Sequence, residues 1–166
     1  MNKRSAGQRQ RRPCNKVRGD TERAFSEKTL IIVDTGPFIA LFDKSDHYHD
    51  ICHDILSSIK PPMLTTLPVL TEAFYMLNFS WHIQDRLWNV IIQENIKPVS
   101  LSNKQLSQCR ELMKKYHDLP MDFADASLIA VAEAENISTV FTLDHKDFKV
   151  YRGRQKKQFK LLPAKL

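Results

Sequence analysis

The 166-residue chain is poor in glycine, with four, and in cysteine, with three. Neither is arranged in a pattern that carries chemistry. Cys14, Cys52 and Cys109 stand far apart and in odd number, without a CxxC pair or a histidine at zinc-site spacing. That excludes a disulfide framework and a thiolate metal centre, and it reads as free thiols in a reducing compartment. The absence of a GxxxxGKS/T stretch excludes a P-loop nucleotide hydrolase. No apolar run approaches the ~18 residues of a membrane span, and the N-terminus lacks the apolar stretch of a secretory signal. The expectation is a cytoplasmic protein with no membrane partner. The Arg-rich start has the charge of a transit peptide but lacks its apolar helical face.

What is present is 42% hydrophobic residues, enough to bury one core in a chain of single-domain length. The net charge of +6 is unevenly spread. Residues 1–28 hold nine Lys/Arg against three acids, and residues 146–166 hold eight against one. The body between them holds eight basic groups against fifteen acids. Basic ends suit phosphate backbones, because each Lys or Arg placed at a phosphate releases counterions. The run Arg152-Gly153-Arg154-Gln155-Lys156-Lys157 points toward nucleic acid, while the N-terminal charges are as well explained by solubility.

Residues 1–28 have almost no large apolar side chains apart from Val17 and Phe25, and so cannot offset the entropy of ordering. They are expected to form a disordered basic extension. The folded domain is expected over 29–166, including the basic C-terminal segment. Thr29 to Val33 is a β-branched, non-alternating run of the kind buried on both faces of a parallel sheet, and Gly36-Pro37 should turn the chain into a helix through Leu41. Further helices are expected over 46–60, 68–77, 81–93, 102–117 and about 122–135. Strands are expected at 63–65, at 96–101 (an edge, given Pro98) and at 139–143. Strands separated by helices mean βαβ units and a parallel sheet, hence an α/β fold.

Two strands run straight into an aspartate, Val33 into Asp34 and Leu143 into Asp144. In open α/β sheets ligands bind beyond the carboxyl ends of the strands, so both carboxylates should face one crevice. Asp122 and Asp125, three apart, share the first turn of an otherwise apolar helix. Asp122 suits an N-cap and Asp125 could complete a capping box, but Leu128 and Ile129 turn Asp125 toward the core. Glu72 is the sole charge in Leu67 to Leu77, where it could equally face solvent. Should Asp34, Glu72, Asp125 and Asp144 converge, two charges 4 Å apart would repel by about 4 kcal/mol at an effective dielectric near 20. Lys146 is the only basic residue beside any of them. An all-oxygen acidic set without Cys or His selects Mg2+ or Mn2+, ions that serve in-line phosphoryl displacement.

With IIVDTGPFIALFD (31–43), TEAFYML (71–77), MDFADASLIAVAE (121–133) and FTLDHKDF (141–148) in this order and spacing, the chain resembles the PIN-domain ribonucleases, and among them the VapC-type toxins. The likeness covers about residues 29–150. It implies a three-layer α/β/α sandwich with a mostly parallel sheet of four to five strands. It further implies Mg2+- or Mn2+-dependent endoribonuclease activity on RNA, frequent homodimers, and inhibition by a cognate antitoxin in toxin members. The family's four acidic positions fall on Asp34, Glu72, Asp125 and Asp144, its strand-end hydroxyls on Thr35 and Thr142, and an accessory acidic position on Asp122. Thr35, Thr142, Lys146, Arg152 and Arg154 are candidate substrate contacts, and Lys114 and Lys115 are candidate phosphate contacts. His47 and His49, two apart, point away from each other and suit surface or cap roles. The basic extension lies outside the family pattern and is open to being an artefact of an upstream start site. Alternatives are a catalytically silent PIN-like RNA- or protein-binding module and a housekeeping RNA-processing nuclease. A haloacid-dehalogenase-type phosphatase would need a second Asp where Gly36 stands, and a receiver-like domain would need a strand-end Lys.

Overall fold

In the computed structural model, which describes residues 30–60, 62–152 and 158–166, five short parallel strands form one sheet in the order β3-β2-β1-β4-β5. Strand β1 (Ile31–Val33) lies at the centre. Helices α1 (Thr35–Phe42) and α2 (His49–Ser58) carry the chain to β2 (Met63–Thr66), whose Leu64 pairs with Ile32. Helices α3 (Leu67–Met76) and α4 (Trp81–Ile92) lead on to β3 (Ile96–Val99), an edge strand that tolerates Pro98. The chain then reverses. Through α5 (Asn103–Lys115) and α6 (Phe123–Ala134) it returns to β4 (Thr139–Phe141) on the other side of β1, with Val33 opposite Phe141. Helix α7 (His145–Val150) and β5 (Lys160–Leu162) complete a three-layer α/β/α architecture.

The reversal places a topological switch between β1 and β4, where such sheets bind ligands. The core of Ile32, Val33, Val140 and Phe141 is sealed by α6, in which every residue from Ala126 to Ala132 is buried. Fully burying Leu128 or Ile129 contributes about 1.5–3 kcal/mol each. The threonines and serine inside this core are paired: Thr65 Oγ1 donates to the Val33 carbonyl at 2.9 Å, and Thr66 and Ser127 share a 2.6 Å hydrogen bond.

Three expectations need correction. Gly36 and Pro37 do not form a turn before the helix but lie inside the first turn of α1, where the missing N–H of proline has no intrahelical partner to lose. Gly36 has another reason to be there: a Cβ would meet Leu143 Cβ at 3.2 Å, so its absence lets α1 start close against the end of β4. The helix expected from Asp46 begins only at His49, because Asp46 instead caps a turn by accepting from Tyr48 N at 2.7 Å. The C-terminal segment is more than a charged tail, since Lys160-Leu161-Leu162 adds an edge strand beside β4. The expectation for residues 1–28, and that for Cys14, fall outside the described residues.

Candidate active site

Asp34 follows β1 directly and caps α1, its Oδ1 accepting from Thr35 N at 2.7 Å. Its backbone N–H donates to the Phe141 carbonyl at 2.9 Å, so the strand pairing itself fixes the residue. The other carboxylate oxygen accepts from Thr142 Oγ1 at 2.7 Å, and the same Thr142 oxygen accepts from Asp144 N at 2.9 Å. One buried hydroxyl therefore joins the ends of β1 and β4. Thr35 Oγ1 donates to Glu72 Oε2 at 2.7 Å, which turns Glu72, half-buried on α3, toward the crevice and away from open solvent.

Asp122 caps α6 by accepting from Asp125 N at 2.9 Å, as its position suggests. The return bond from the Asp125 side chain, needed for a full capping box, is not among the described hydrogen bonds. Asp144 caps α7 in the same way, accepting from Asp147 N at 3.0 Å. Three helix starts thus deliver carboxylates to the same place, and their N-terminal dipoles favour that charge.

A cavity of about 500 Å³ at the switch point is lined by Asp34, Glu72, Asp122, Asp125 and Asp144, together with Thr35, Gly36 and Leu143. Asp147 also lines it, a residue that sequence reasoning passed over. Its signal was available: it stands three after Asp144, the spacing that places two residues on one helix face. Lys146, Arg152 and Thr142 do not line the cavity. Lys146 is exposed and acts electrostatically on Asp147, while Arg152 Nη1 donates to the Tyr151 carbonyl at 2.7 Å. Arg154 lies outside the described residues. His49 bonds the Ala40 carbonyl through a ring nitrogen at 2.7 Å and His47 packs edge-on against Tyr48, the structural roles expected of them.

Among the described residues none of these acids forms an ion pair, and Lys146 acts on Asp147 only at longer range. Among the described residues the ion pairs are Lys97 with Glu94 and Arg110 with Glu111, both away from the cavity. Burial pushes the Asp34 carboxyl up to about 6 against the pull of its Thr142 and Thr35 hydrogen bonds, with Glu72 and Asp122 adding repulsion. Asp125 is pushed up to about 8, first by burial and then by Asp34 and Asp122. Asp147 is raised too, by burial and then by Asp144. Among the described residues no three acidic, His or Cys side chains stand as a ready-made metal cage. The donor set nevertheless fits a hard divalent ion: carboxylate oxygens and the Thr35 hydroxyl, no thiol or imidazole, and a charge that no described residue balances by an ion pair.

A family model described as "PIN domain" matches residues 31–153, most of the chain and all of the cavity. The chain belongs to the PIN domain family. A curated relative, Ribonuclease VapC26 of Mycobacterium tuberculosis (strain ATCC 25618 / H37Rv), is 23% identical over 137 residues, spanning 80% of this chain and 100% of its own. Among solved structures, the fold resembles that of Mycobacterium tuberculosis VapC20, described as a sarcin-ricin loop cleaving toxin. The TM-score is 0.61 at 20% identity, over 66% of this chain and 86% of that one. It also resembles VapBC2 from Rickettsia felis bound to a DNA fragment from its promoter, with TM-score 0.57 at 19% identity over 80% and 96%. A toxin-antitoxin complex from Klebsiella pneumoniae matches with TM-score 0.57 at 19% identity over 71% and 89%. These likenesses support the PIN fold and the three-layer sheet architecture. Among the described residues no helix is long and apolar enough to cross a membrane.

Proposed function

We propose that this PIN domain is a Mg2+- or Mn2+-dependent endoribonuclease and the toxin of a type II toxin–antitoxin pair. The observation that carries the reading is the gathering of six carboxylates around one cavity with no cation lining it among the described residues, two of them forced far from their ordinary acidity. Asp34, Asp125 and Asp144 would hold the ion, with Glu72 beside them and Asp122 as an accessory group. When bound there, a divalent ion supplies positive charge at the scissile phosphate and acidifies water for in-line attack.

The protein's own residues do the rest. Thr142 holds Asp34 and the start of α7 in fixed relation, and Thr35 holds Glu72, so the carboxylates are oriented before any ion arrives. Both hydroxyls are spent on that task, which makes them positioning groups more than the substrate contacts first expected. The basic ends of the chain would hold the RNA polyanion beside an acidic centre that repels it until metal is bound.

A cognate antitoxin and a homodimer are proposed partners. The relatives named as toxin–antitoxin assemblies support the first. An apolar groove of about 920 Å³, sharing Glu72 and Asp122 with the acidic cavity and lined by Leu67, Tyr75 and Phe123, is a surface that a protein partner would cover. The direct test is cleavage of a structured RNA containing a sarcin-ricin loop, by wild type and Asp34→Asn, with Mn2+ and with chelator. Cleavage by wild type with Mn2+ only is expected. Equal RNA binding by both proteins without cleavage would favour a silent binding module instead.

A further inference from the structure

Helix α7 and its caps carry a third polar group on the side of Asp144 and Asp147, one that does not itself line the acidic cavity and that the motif does not announce. Asp144, Asp147 and Tyr151 lie at positions i, i+3 and i+7 across this helix and its caps, so they share one side. The first two line the cavity. Tyr151 is fully buried, and its hydroxyl has no hydrogen-bond partner among the protein's own described atoms. A buried phenol left in that condition is rare in native interiors and marks a group waiting on something else.

The ring is buried among aromatic neighbours. It packs against Tyr116 with centroids 5.2 Å apart and against Phe148 at 5.8 Å. Tyr116 shows what a merely structural phenol looks like at the same spot. Its hydroxyl accepts from Arg152 N at 2.8 Å and from Lys115 Nζ at 2.8 Å, and it approaches the Arg152 carbonyl at 3.3 Å. Of two neighbouring tyrosines, tilted at 54°, one has its hydroxyl fully engaged and the other has no described partner. The carboxylates acting on the Tyr151 hydroxyl are, in falling order, Asp125, Asp147, Asp144 and Asp122, all of which line the cavity.

We propose that Tyr151 is a positioning residue for Asp125, its hydroxyl donating through one bridging water to that carboxylate and holding it in the orientation that receives a divalent ion. The inference rests on the metallonuclease reading of the cavity. A neutral donor suits the place better than Lys or Arg would: it orients a carboxylate without neutralising it, so the affinity for a cation is kept. Partners of this outer kind fix ligand direction, and their loss weakens metal binding about 10- to 100-fold.

The test is Mn2+ titration calorimetry on the full chain, with thermal melts in chelator, for wild type, Tyr151→Phe, Tyr116→Phe, Asp125→Asn and the double variant of Tyr151→Phe with Asp125→Asn. Tyr151→Phe is expected to melt no lower than wild type and to bind Mn2+ about tenfold more weakly. Tyr116→Phe should melt lower with Mn2+ affinity unchanged, and the double variant should bind no more weakly than Asp125→Asn alone. Unchanged Mn2+ affinity in Tyr151→Phe, with Asp125→Asn impaired, would overturn the role of Tyr151 and leave the nuclease reading standing. A lower melting temperature for Tyr151→Phe, with affinity lost only in proportion to unfolding, would also overturn it. Wild type that fails to bind Mn2+ would overturn both.

Discussion

Helix α6 carries one carboxylate in its first turn and another near its last, and the two live in opposite circumstances. Glu133 accepts a hydrogen bond from the side-chain amide of Gln108 on α5, so its charge is answered across the helix pair. Asp125, eight residues earlier and equally half-buried, faces Asp34, Asp122 and Asp144 and has no cation acting on it among the described residues. Between them lies an unbroken buried stretch from Ala126 to Ala132. The stretch anchors both ends, so α6 cannot shift to relieve the crowding at its mouth. A carboxylate that serves the fold is given a donor, and one held for a ligand is left uncompensated.

The sharpest way to break this comparison is to neutralise each end in turn. Asp125→Asn should lower RNA cleavage by about a hundredfold or more, the scale seen when one preorganised electrostatic group is removed from an active site. Measured in chelator, the same variant should melt at the wild-type temperature or above it, because like-charge crowding is relieved. Glu133→Gln should leave cleavage unchanged. A large loss of stability in metal-free Asp125→Asn would mean that the carboxylate is a structural cap after all.

Acidity offers the next contrast. Asp34 at about 6 and Asp125 at about 8 both stand above the unfolded value of 3.8, so between these limits the native state holds protons that the unfolded chain has released. Stability of the metal-free protein should therefore be greatest below about pH 4. It should fall as pH rises through the raised values, by a few kcal/mol in total once solvent screening at half-buried Asp125 is allowed for. Saturating Mn2+ should abolish or reverse the slope above pH 6. In Asp125→Asn the decline should end near pH 6. Chemical denaturation at a series of pH values, with and without Mn2+, measures each.

Much of this was legible in the chain. Asp34 and Asp144 are readable because strands of such regularity end abruptly in an acid, and Asp125 because an apolar helix rarely starts with a core-facing carboxylate. The order of the strands was harder to see: nothing local tells β4 to return beside β1, and the switch that gathers the acids is a property of the whole sheet. β5 went unseen because three residues after a basic run carry too little pattern, and its place comes from pairing with β4. Asp147 could have been read from its spacing of three from Asp144, but Tyr151 was hidden by the shortness of α7, whose six residues give no periodicity to read.

The threonine that joins the two strand ends sharpens the comparison further. Thr142→Val keeps the shape and removes the hydroxyl, leaving a buried Asp34 oxygen without its donor and the Asp144 N–H without its acceptor. Loss of such a bond at a buried charged group costs about 1–3 kcal/mol. The Asp34 carboxyl should rise further, because the hydrogen bond that held it down is gone. Stability above pH 6 should thus drop more than stability at pH 4, and Mn2+ should bind more weakly. Equal losses at both pH values would show that Thr142 acts by packing alone.

The smallest effect belongs to the satisfied end of α6. Gln108→Leu fills the space of Gln108 with an apolar side chain and leaves Glu133 without its described donor. Because Glu133 is only half-buried, water can replace part of what is lost, and the expected cost is about 1 kcal/mol. That cost should appear in denaturant titrations with or without Mn2+, and cleavage per folded molecule should be untouched. The pairing of α5 with α6 would then be mechanically separable from the acidic mouth of the same helix. If Gln108→Leu also weakened Mn2+ binding, the two ends of α6 would be coupled through the buried stretch, and Asp125 would owe its placement to a contact eight residues away.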